Sequence, residues 1–340
     1  GGEGTVEALV SGMNGTIRKV SVTGPIGKTV VCEYGVIENT GGKTEEKTAV
    51  IEIAKAAGLT LLSEEERNPL YTTTYGVGEV IKDAVRNGCR KFIVGIGGSA
   101  TNDGGAGMLQ ALGFGLLKEN GEQIPIGARG LEELAEITDD HVIPELAECK
   151  FKIACDVTNV LCGETGASAV YGPQKGADEE MTERLDRLLF SYASLVKKKI
   201  PKADSMYPGT GAAGGLGFAF LTFMDAQLES GIQIVIKETG LEQEIAKADL
   251  VITGEGRMDG QTAMGKAPIG IAKIAKKYGK PVIAFAGAAA RDAGACNEQG
   301  IDAFFPILRE AVSLEAAMKR GKAEANMGAA GGEAYRLWGI

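Results

Sequence analysis

The last hundred residues limit the fold most strongly, because short apolar runs alternate there with helical patterns. IQIVI, DLVITGEG, PVIAFAG and AFFPIL read as strands. LEQEIAKA, residues 267–278 and a further short segment read as the helices between them, and a terminal helix closes the chain. Short apolar strands spaced by helices imply a parallel sheet covered on both faces. An earlier stretch repeats the pattern. VGEVIKDAVRNG is an amphipathic helix closing on Gly88, KFIVGI is a short strand, and a helix over about 104–112 follows the loop GGSATNDGG.

Residues 15–54 read differently. TIRKVSVT, KTVVCEYGVIE and TAVIEIA carry β-branched residues in partial alternation and are joined by GPIG and NTGGKTEE, which points to antiparallel β structure. Further on, FKIACDV (151–157) reads as a buried strand. A long helix over about 179–199 has acids in its first turn and lysines in its last, matching the helix dipole. GTGAAGGLGFAF (209–220) leads into another helix. The expected architecture is α/β: a doubly wound parallel-sheet domain, discontinuous in sequence, plus a second α/β domain with antiparallel strands. The first, Rossmann-like domain takes residues 1–14, 76–115 and 237–340. The second, mixed domain takes 15–75 and 116–236. A chain of 340 residues suits two domains at about 150 residues each.

Composition removes several function classes. The net charge is −9, and no run of Lys and Arg is interleaved with aromatics, so a nucleic-acid partner is not expected. The longest apolar runs, near 212–224 and 281–290, fall short of the roughly 20 residues a bilayer span needs. No secretory signal opens the sequence, and six scattered cysteines without a CxxC read as reduced thiols, so the expected location is cytoplasmic. The sole histidine, His141, sits in the polar connector TDDHVIPE. Acid–base chemistry therefore falls to carboxylates or lysines.

Fifty glycines, about twice the usual share of roughly 7%, gather at a few loops. In an open parallel sheet ligands bind beyond the carboxyl ends of the strands. The loop Gly97-Gly98-Ser99-Ala100-Thr101-Asn102-Asp103 follows a strand and offers amides and hydroxyls to an anion; the plain alternative is a tight turn with an N-cap aspartate. After DLVIT, Gly254-Glu255-Gly256-Arg257-Met258-Asp259 brings two carboxylates and an arginine, which read either as a site or as a surface salt bridge. GQTAMGKA (260–267) misses the P-loop pattern, because Ala267 stands where the Mg²⁺-binding hydroxyl belongs. Lys266 remains a candidate phosphate contact. Asp156 ends a strand, as a cap or a catalytic group. Lys175 sits in the turn GPQKG. The run Gly209 to Gly217 is either an anion cradle or a packing seam.

At this point the residues resemble a known family. GIGGSATNDGGAGMLQALG (95–113), ACDVTN (154–159), YGPQKGA (171–177), GAAGGLG (211–217) and VITGEGRMDGQTAMGKAPIGIA (251–272) are similar to bacterial type I glycerate kinases, as are GGEGTVEAL (1–9) and PLYTTTYGVGE (69–79). The resemblance covers essentially the whole chain, in order. It implies ATP-dependent phosphorylation of D-glycerate with Mg²⁺, on a two-domain α/β fold unrelated to P-loop kinases, with the active site in the cleft between the domains. The 2-phosphoglycerate product is favoured over 3-phosphoglycerate by likeness to enzymes of sugar-acid metabolism.

Within that frame, phosphoryl transfer needs positioning and charge neutralisation more than a strong base. Asp156 is set to accept the hydroxyl proton, with Lys175 and Arg257 as the catalytic cations. Gly97, Gly98, Ser99, Thr101, Asn102, Gly254, Gly256 and Lys266 are set against the ATP phosphates. Asp103 and Glu255 are the expected Mg²⁺ ligands, and Glu3, Asn159 and Asp259 the substrate contacts. The expected partners are D-glycerate and ATP, with the protein a monomer or homodimer. Family members begin with a strand and helix of the form APDSFKGS before the GGEG motif; the present sequence opens at GGEG without that unit. Two rivals predict other chemistry. A dinucleotide-dependent oxidoreductase acting on a small hydroxy acid would want a glycine fingerprint with an acid about 20 residues on, which 97–105 fits poorly. A non-catalytic hydroxy-acid binding protein would bind without releasing ADP.

Overall fold

A computed structural model of the chain describes residues 4–38 and 46–338. Glu3, expected at the substrate, lies outside the described residues. The chain divides into two compact units, Gly1–Val235 and Ile236–Ile340.

In the first unit the strands are β1 (Thr16–Thr23), β2 (Thr29–Glu38), β3 (Lys47–Glu52), β4 (Cys89–Gly95), β5 (Gly115–Leu117), β6 (Glu136–Thr138), β7 (Lys150–Ala154) and β8 (Gln227–Glu229). Six of them form one sheet in the order β1-β2-β3-β4-β7-β8, while β5 and β6 pair separately. β1, β2 and β3 are antiparallel neighbours, as the β-branched alternation implied. From β3 onward β4, β7 and β8 run parallel. The helix Tyr75–Arg86 carries the chain from β3 to β4. It buries Val77, Val80, Ile81, Ala84 and Val85, a stripe at helical spacing.

The sequence grouped 76–115 with 237–340 because both show a strand, a glycine loop and a helix. In the structure β4 hydrogen-bonds between β3 and β7, so this segment packs with the first unit. A local β-loop-helix pattern specifies parallel pairing without naming the sheet that receives it.

Side-chain alternation sorts the parallel strands into two faces. Ala49, Ile51, Phe92, Val94, Phe151 and Ile153 join the main core. Val50, Ile93 and Ala154 point the other way, to Val6 and Leu9 of the helix Thr5–Gly12 and to Ile234. IQIVI was expected to be a strand, but these residues lie in the helix Gly231–Thr239. The long helix Glu179–Lys199 is where the sequence put it, with the Asp178 carboxylate accepting from Met181 N at its start.

In the second unit β9 (Val251–Met258), β10 (Val282–Ala289) and β11 (Ala303–Pro306) form a parallel sheet in the order β11-β10-β9. Val251, Ala284 and Ala286 pack against Ile245 and against Ile269, Ala272 and Ala275 of the helix Ala267–Lys277. The terminal helix runs Arg320–Trp338. No helix among the described residues is long and apolar enough to cross a membrane.

Candidate functional site

Strand register places one row of residues across the parallel part of the first sheet: Glu52, Gly95, Ala154 and Glu229 are lateral neighbours on β3, β4, β7 and β8. Each parallel strand ends at this row, so the loops that follow share one rim. A cavity of about 340 Å³ opens there, lined by Gly97, Gly98 and Ser99 after β4, by Cys155, Asp156 and Val157 after β7, and by Tyr171, Gln174 and Lys175. Leu59, Ala212 and Ala213 complete much of its wall.

Backbone pairing holds the 97–100 loop still. Leu59 N donates to Gly98 O at 3.0 Å and Ala100 N to Ala57 O at 2.8 Å. The amides of Gly97, Gly98 and Ser99 have no acceptor among the described residues, nor has the Ser99 hydroxyl. Ready donors at a cavity wall suit an anion. Thr101 and Asn102, expected at the phosphates, are instead fully buried and do not line the cavity. Asn102 Nδ2 donates to Ser168 Oγ at 2.9 Å, and the Thr101 carbonyl accepts from Lys175 Nζ at 2.7 Å.

Asp103 is also fully buried, and its carboxylate is consumed by donors from Thr74 and from the residues just after it. Oδ2 accepts from Thr74 N at 2.8 Å, Thr74 Oγ1 at 2.9 Å and Gly107 N at 3.3 Å; Oδ1 accepts from Gly105 N at 3.2 Å. One carboxylate thereby caps the helix Tyr75–Arg86 and the helix Ala106–Ala111 together. Burial pushes this carboxyl up, opposed by the hydrogen bonds from Thr74, Gly107 and Gly105. The enclosed carboxylate, expected at the metal, serves here as a helix cap and does not line the cavity.

Lys175 reaches the cavity from the short turn Pro173–Lys175, where Pro173 fixes the backbone and Gly176 turns left-handed. The lysine is 2% exposed. Burial pushes its amine down to about 7, against the opposing pull of Asp103. Asp156 stands exposed at the mouth. Its Oδ1 accepts from Ser230 Oγ and from Gly231 N, both at 3.0 Å, so it caps the helix Gly231–Thr239 while lining the cavity. The cap and the catalytic readings of Asp156 are compatible. Asn159, expected at the substrate, is instead a staple: its Nδ2 donates to Thr165 O at 2.9 Å and its Oδ1 accepts from Tyr171 Oη at 2.6 Å.

The glycine run 209–217 is a packing seam. Ala213, Gly214 and Gly215 take left-handed conformations, φ 53, 68 and 92. A Cβ on Gly214 would lie 2.0 Å from the Thr101 carbonyl oxygen, so only glycine permits this approach.

The second unit presents its own cluster. Gly254 to Arg257, read as a loop, lie within β9 and pair with β10. Glycines usually weaken a strand, but here Gly254 lets the Phe285 carbonyl of β10 approach closely, at 2.5 Å from where a Cβ would sit. Glu255 Oε1 accepts from the Thr262 hydroxyl. Asp259 Oδ1 accepts from Thr262 N at 3.1 Å and lies 3.3 Å from the same hydroxyl. These bonds with the Thr262 amide come first in holding the Asp259 carboxyl below the usual carboxylate range. Lys266 Nζ stands 3.9 Å from Asp259, and Arg257 is exposed without an ion pair among the described residues. No group of three or more His, Cys, Asp or Glu residues suited to a metal is found among the described residues.

Sequence reasoning missed Tyr171, Gln174 and Leu59 as cavity residues and Thr262 as the hinge between two carboxylates. Tyr171 and Gln174 flank Lys175 in YGPQKG, and that adjacency was the available signal. His141 is exposed and outside the cavity.

Comparison with known proteins gives consistent likenesses. The sequence profile of the Glycerate kinase family matches residues 1–339. A glycerate kinase from Halalkalibacterium halodurans is 49% identical over 94% of this chain and 83% of its own length. A glycerate 2-kinase from Escherichia coli K12 is 47% identical over 94% of this chain and 82% of its own. A crystal structure assigned as glycerate kinase 2 from Salmonella typhimurium LT2 superposes with a TM-score of 0.86 at 46% identity, covering 99% of this chain and 87% of that one.

Proposed function

This chain belongs to the glycerate kinase family, and from that premise we propose that it transfers the γ-phosphoryl group of ATP to the 2-hydroxyl of D-glycerate. The observation that carries the reading is the rim cavity: about 340 Å³ at the carboxyl ends of parallel strands, with amides unpaired among the described residues on one wall and a buried lysine on another. That volume is at the small end of the roughly 300–1,000 Å³ common for ligand pockets, which suits a small hydroxy acid.

Roles follow from chemistry. The amides of Gly97, Gly98 and Ser99 hold an anionic group by directed donation. Lys175 supplies a positive charge beside it in a dry setting, where charge counts most. Asp156, oriented through its bond to Gly231 N, accepts the proton of the attacking hydroxyl. On the second unit Arg257 and Lys266 are suited to neutralise phosphate oxygens, with the amides of the β9 glycines Gly254 and Gly256 beside them in the chain.

Glu255 and Asp259 fit Mg²⁺. Both converge on the Thr262 hydroxyl, an all-oxygen donor set with two carboxylates of the kind a hard dication takes together with phosphate oxygens. When bound, the ion would spread the negative charge of the nucleotide phosphates. The saturated carboxylate of Asp103 does not fit that role. Asp259 thus moves from the substrate to the metal, and Asn159 from the substrate to support of Tyr171.

The enzyme is proposed to act in the cytoplasm, as a monomer or homodimer. Incubation with D-glycerate and MgATP, followed by phosphorus NMR of the product, tests the reading. A 2-phosphoglycerate signal is expected. A 3-phosphoglycerate signal overturns the regiochemistry, and absence of any phosphoglycerate overturns the assignment.

A further inference from the structure

Lys175 is a buried cation of the first unit, and among the described residues no carboxylate hydrogen-bonds it; the Asp103 carboxyl acts on it only through its charge, and is itself held by other donors. Among the described residues its hydrogen-bond partner is the neutral carbonyl of Thr101, at 2.7 Å. A neutral amine can also donate to that carbonyl, whereas a buried ammonium wants a counter-charge. The titratable groups facing this region come from several elements. Asp103, in the loop after β4, is committed to Thr74, Gly105 and Gly107. Asp156, after β7, is tied through Oδ1 to Ser230 and Gly231. Cys155 donates to the Val157 carbonyl, Tyr171 donates to Asn159, and Tyr192 of the long helix lies with its hydroxyl buried. None of them hydrogen-bonds Lys175. The amine nonetheless forms part of the cavity wall, beside amides with no acceptor among the described residues.

Resting on the glycerate kinase reading of this cavity, we propose that Lys175 takes up one proton from solvent as the carboxylate of the hydroxy acid enters, so that substrate binding and lysine protonation are one event. The carboxylate supplies the missing counter-charge. The proton ends on Nζ, and the buried pair is neutral overall. Burial, which brings the amine down to about 7, leaves it mostly neutral above that pH until an anion arrives. The device selects anionic substrates: a neutral analogue such as glycerol gives no reason to charge the lysine, and pays for none of its desolvation.

Calorimetric titration of the whole protein with D-glycerate, alone and with a non-hydrolysable ATP analogue, tests this in buffers of different ionisation enthalpy. The expected result is uptake of about 0.9 proton per bound glycerate at pH 8 and about 0.1 at pH 6. Lys175→Arg, permanently charged, should bind without uptake. Because substitution at a buried site can unfold the protein, the wild-type pH series decides by itself. Glycerate binding at pH 8 with no proton uptake overturns the inference and leaves the kinase reading standing, as does full uptake in Lys175→Met. No glycerate binding together with no ADP release overturns both.

Discussion

Lys175 Nζ is tied to the Thr101 carbonyl oxygen at 2.7 Å, a bond that joins two loops 74 residues apart in the chain. The same carbonyl lies where Gly214 comes closest to the 97–105 loop. One backbone oxygen is thus the meeting point of the loop after β4, the turn bearing the lysine and the left-handed run 213–215.

That convergence makes Gly214→Ala a severe test. Its φ of 68 is unfavourable for alanine, and the new Cβ would press on the Thr101 oxygen. Thermal melting should fall by several degrees, and turnover should drop along with it because the lysine anchor moves. Gly265→Ala, also at positive φ but with nothing within 4 Å of its Cβ position, should cost backbone strain without disturbing that anchor. Equal melting and equal turnover for the Gly214 variant and the wild type would contradict the packing account.

The lysine also sets a stability profile. Its amine is depressed to about 7 in the folded state, below the value near 10.4 of an unfolded lysine. The unfolded chain therefore binds more protons between these two values, and stability should rise with pH across that window. The limiting slope is about 1.4 kcal/mol per pH unit. It should be read between pH 7 and 8.5, since buried thiols such as Cys32, pushed up to about 12, oppose it at higher pH. Denaturant midpoints measured over that range should climb in the wild type and flatten in Lys175→Met.

Asp103 and Glu255 should separate cleanly in variants. Asp103→Asn replaces an acceptor that holds four donors with an amide that brings its own hydrogens, and about 3 kcal/mol of stability should go with it. Its Mg²⁺ requirement should stay unchanged. Glu255→Gln should melt close to wild type but need roughly 10-fold more Mg²⁺ for half-maximal turnover. The reverse pattern would return the metal to Asp103.

Tyr171→Phe removes a 2.6 Å bond to Asn159 from the cavity wall. The loss is worth about 1 kcal/mol, which corresponds to roughly 5-fold in KM for the hydroxy acid with kcat nearly kept. A large fall in kcat at constant KM would instead make Tyr171 a participant in the chemistry.

Much of this was legible in the sequence where local rules act alone. The helix Glu179–Lys199 carries its own cap, acids and lysines, and the antiparallel β1–β2–β3 run carries its own alternation. IQIVI failed because five apolar residues fit a strand or a buried helix equally, and the cap that decides it, Asp156 on Gly231 N, comes from 75 residues away. Gly254 and Gly256 read as a loop because glycine usually breaks a strand, while the approach of the Phe285 carbonyl is a tertiary fact. At the rim, loops singled out in the sequence do line the cavity, but the direction of each side chain was not legible. Ser99 and Lys175 line the cavity, whereas Thr101, Asn102 and Asp103, two to four residues past Ser99, turn inward and hold it up.

The most direct measurement is steady-state ADP release with D-glycerate and MgATP by the wild type and by Lys175→Met, each first shown to be folded by its melting curve. The account predicts glycerate-dependent release by the wild type and a loss of about 100-fold or more in kcat/KM for the variant. Wild-type turnover retained by a folded Lys175→Met, or no glycerate-dependent release by the wild type, would contradict it.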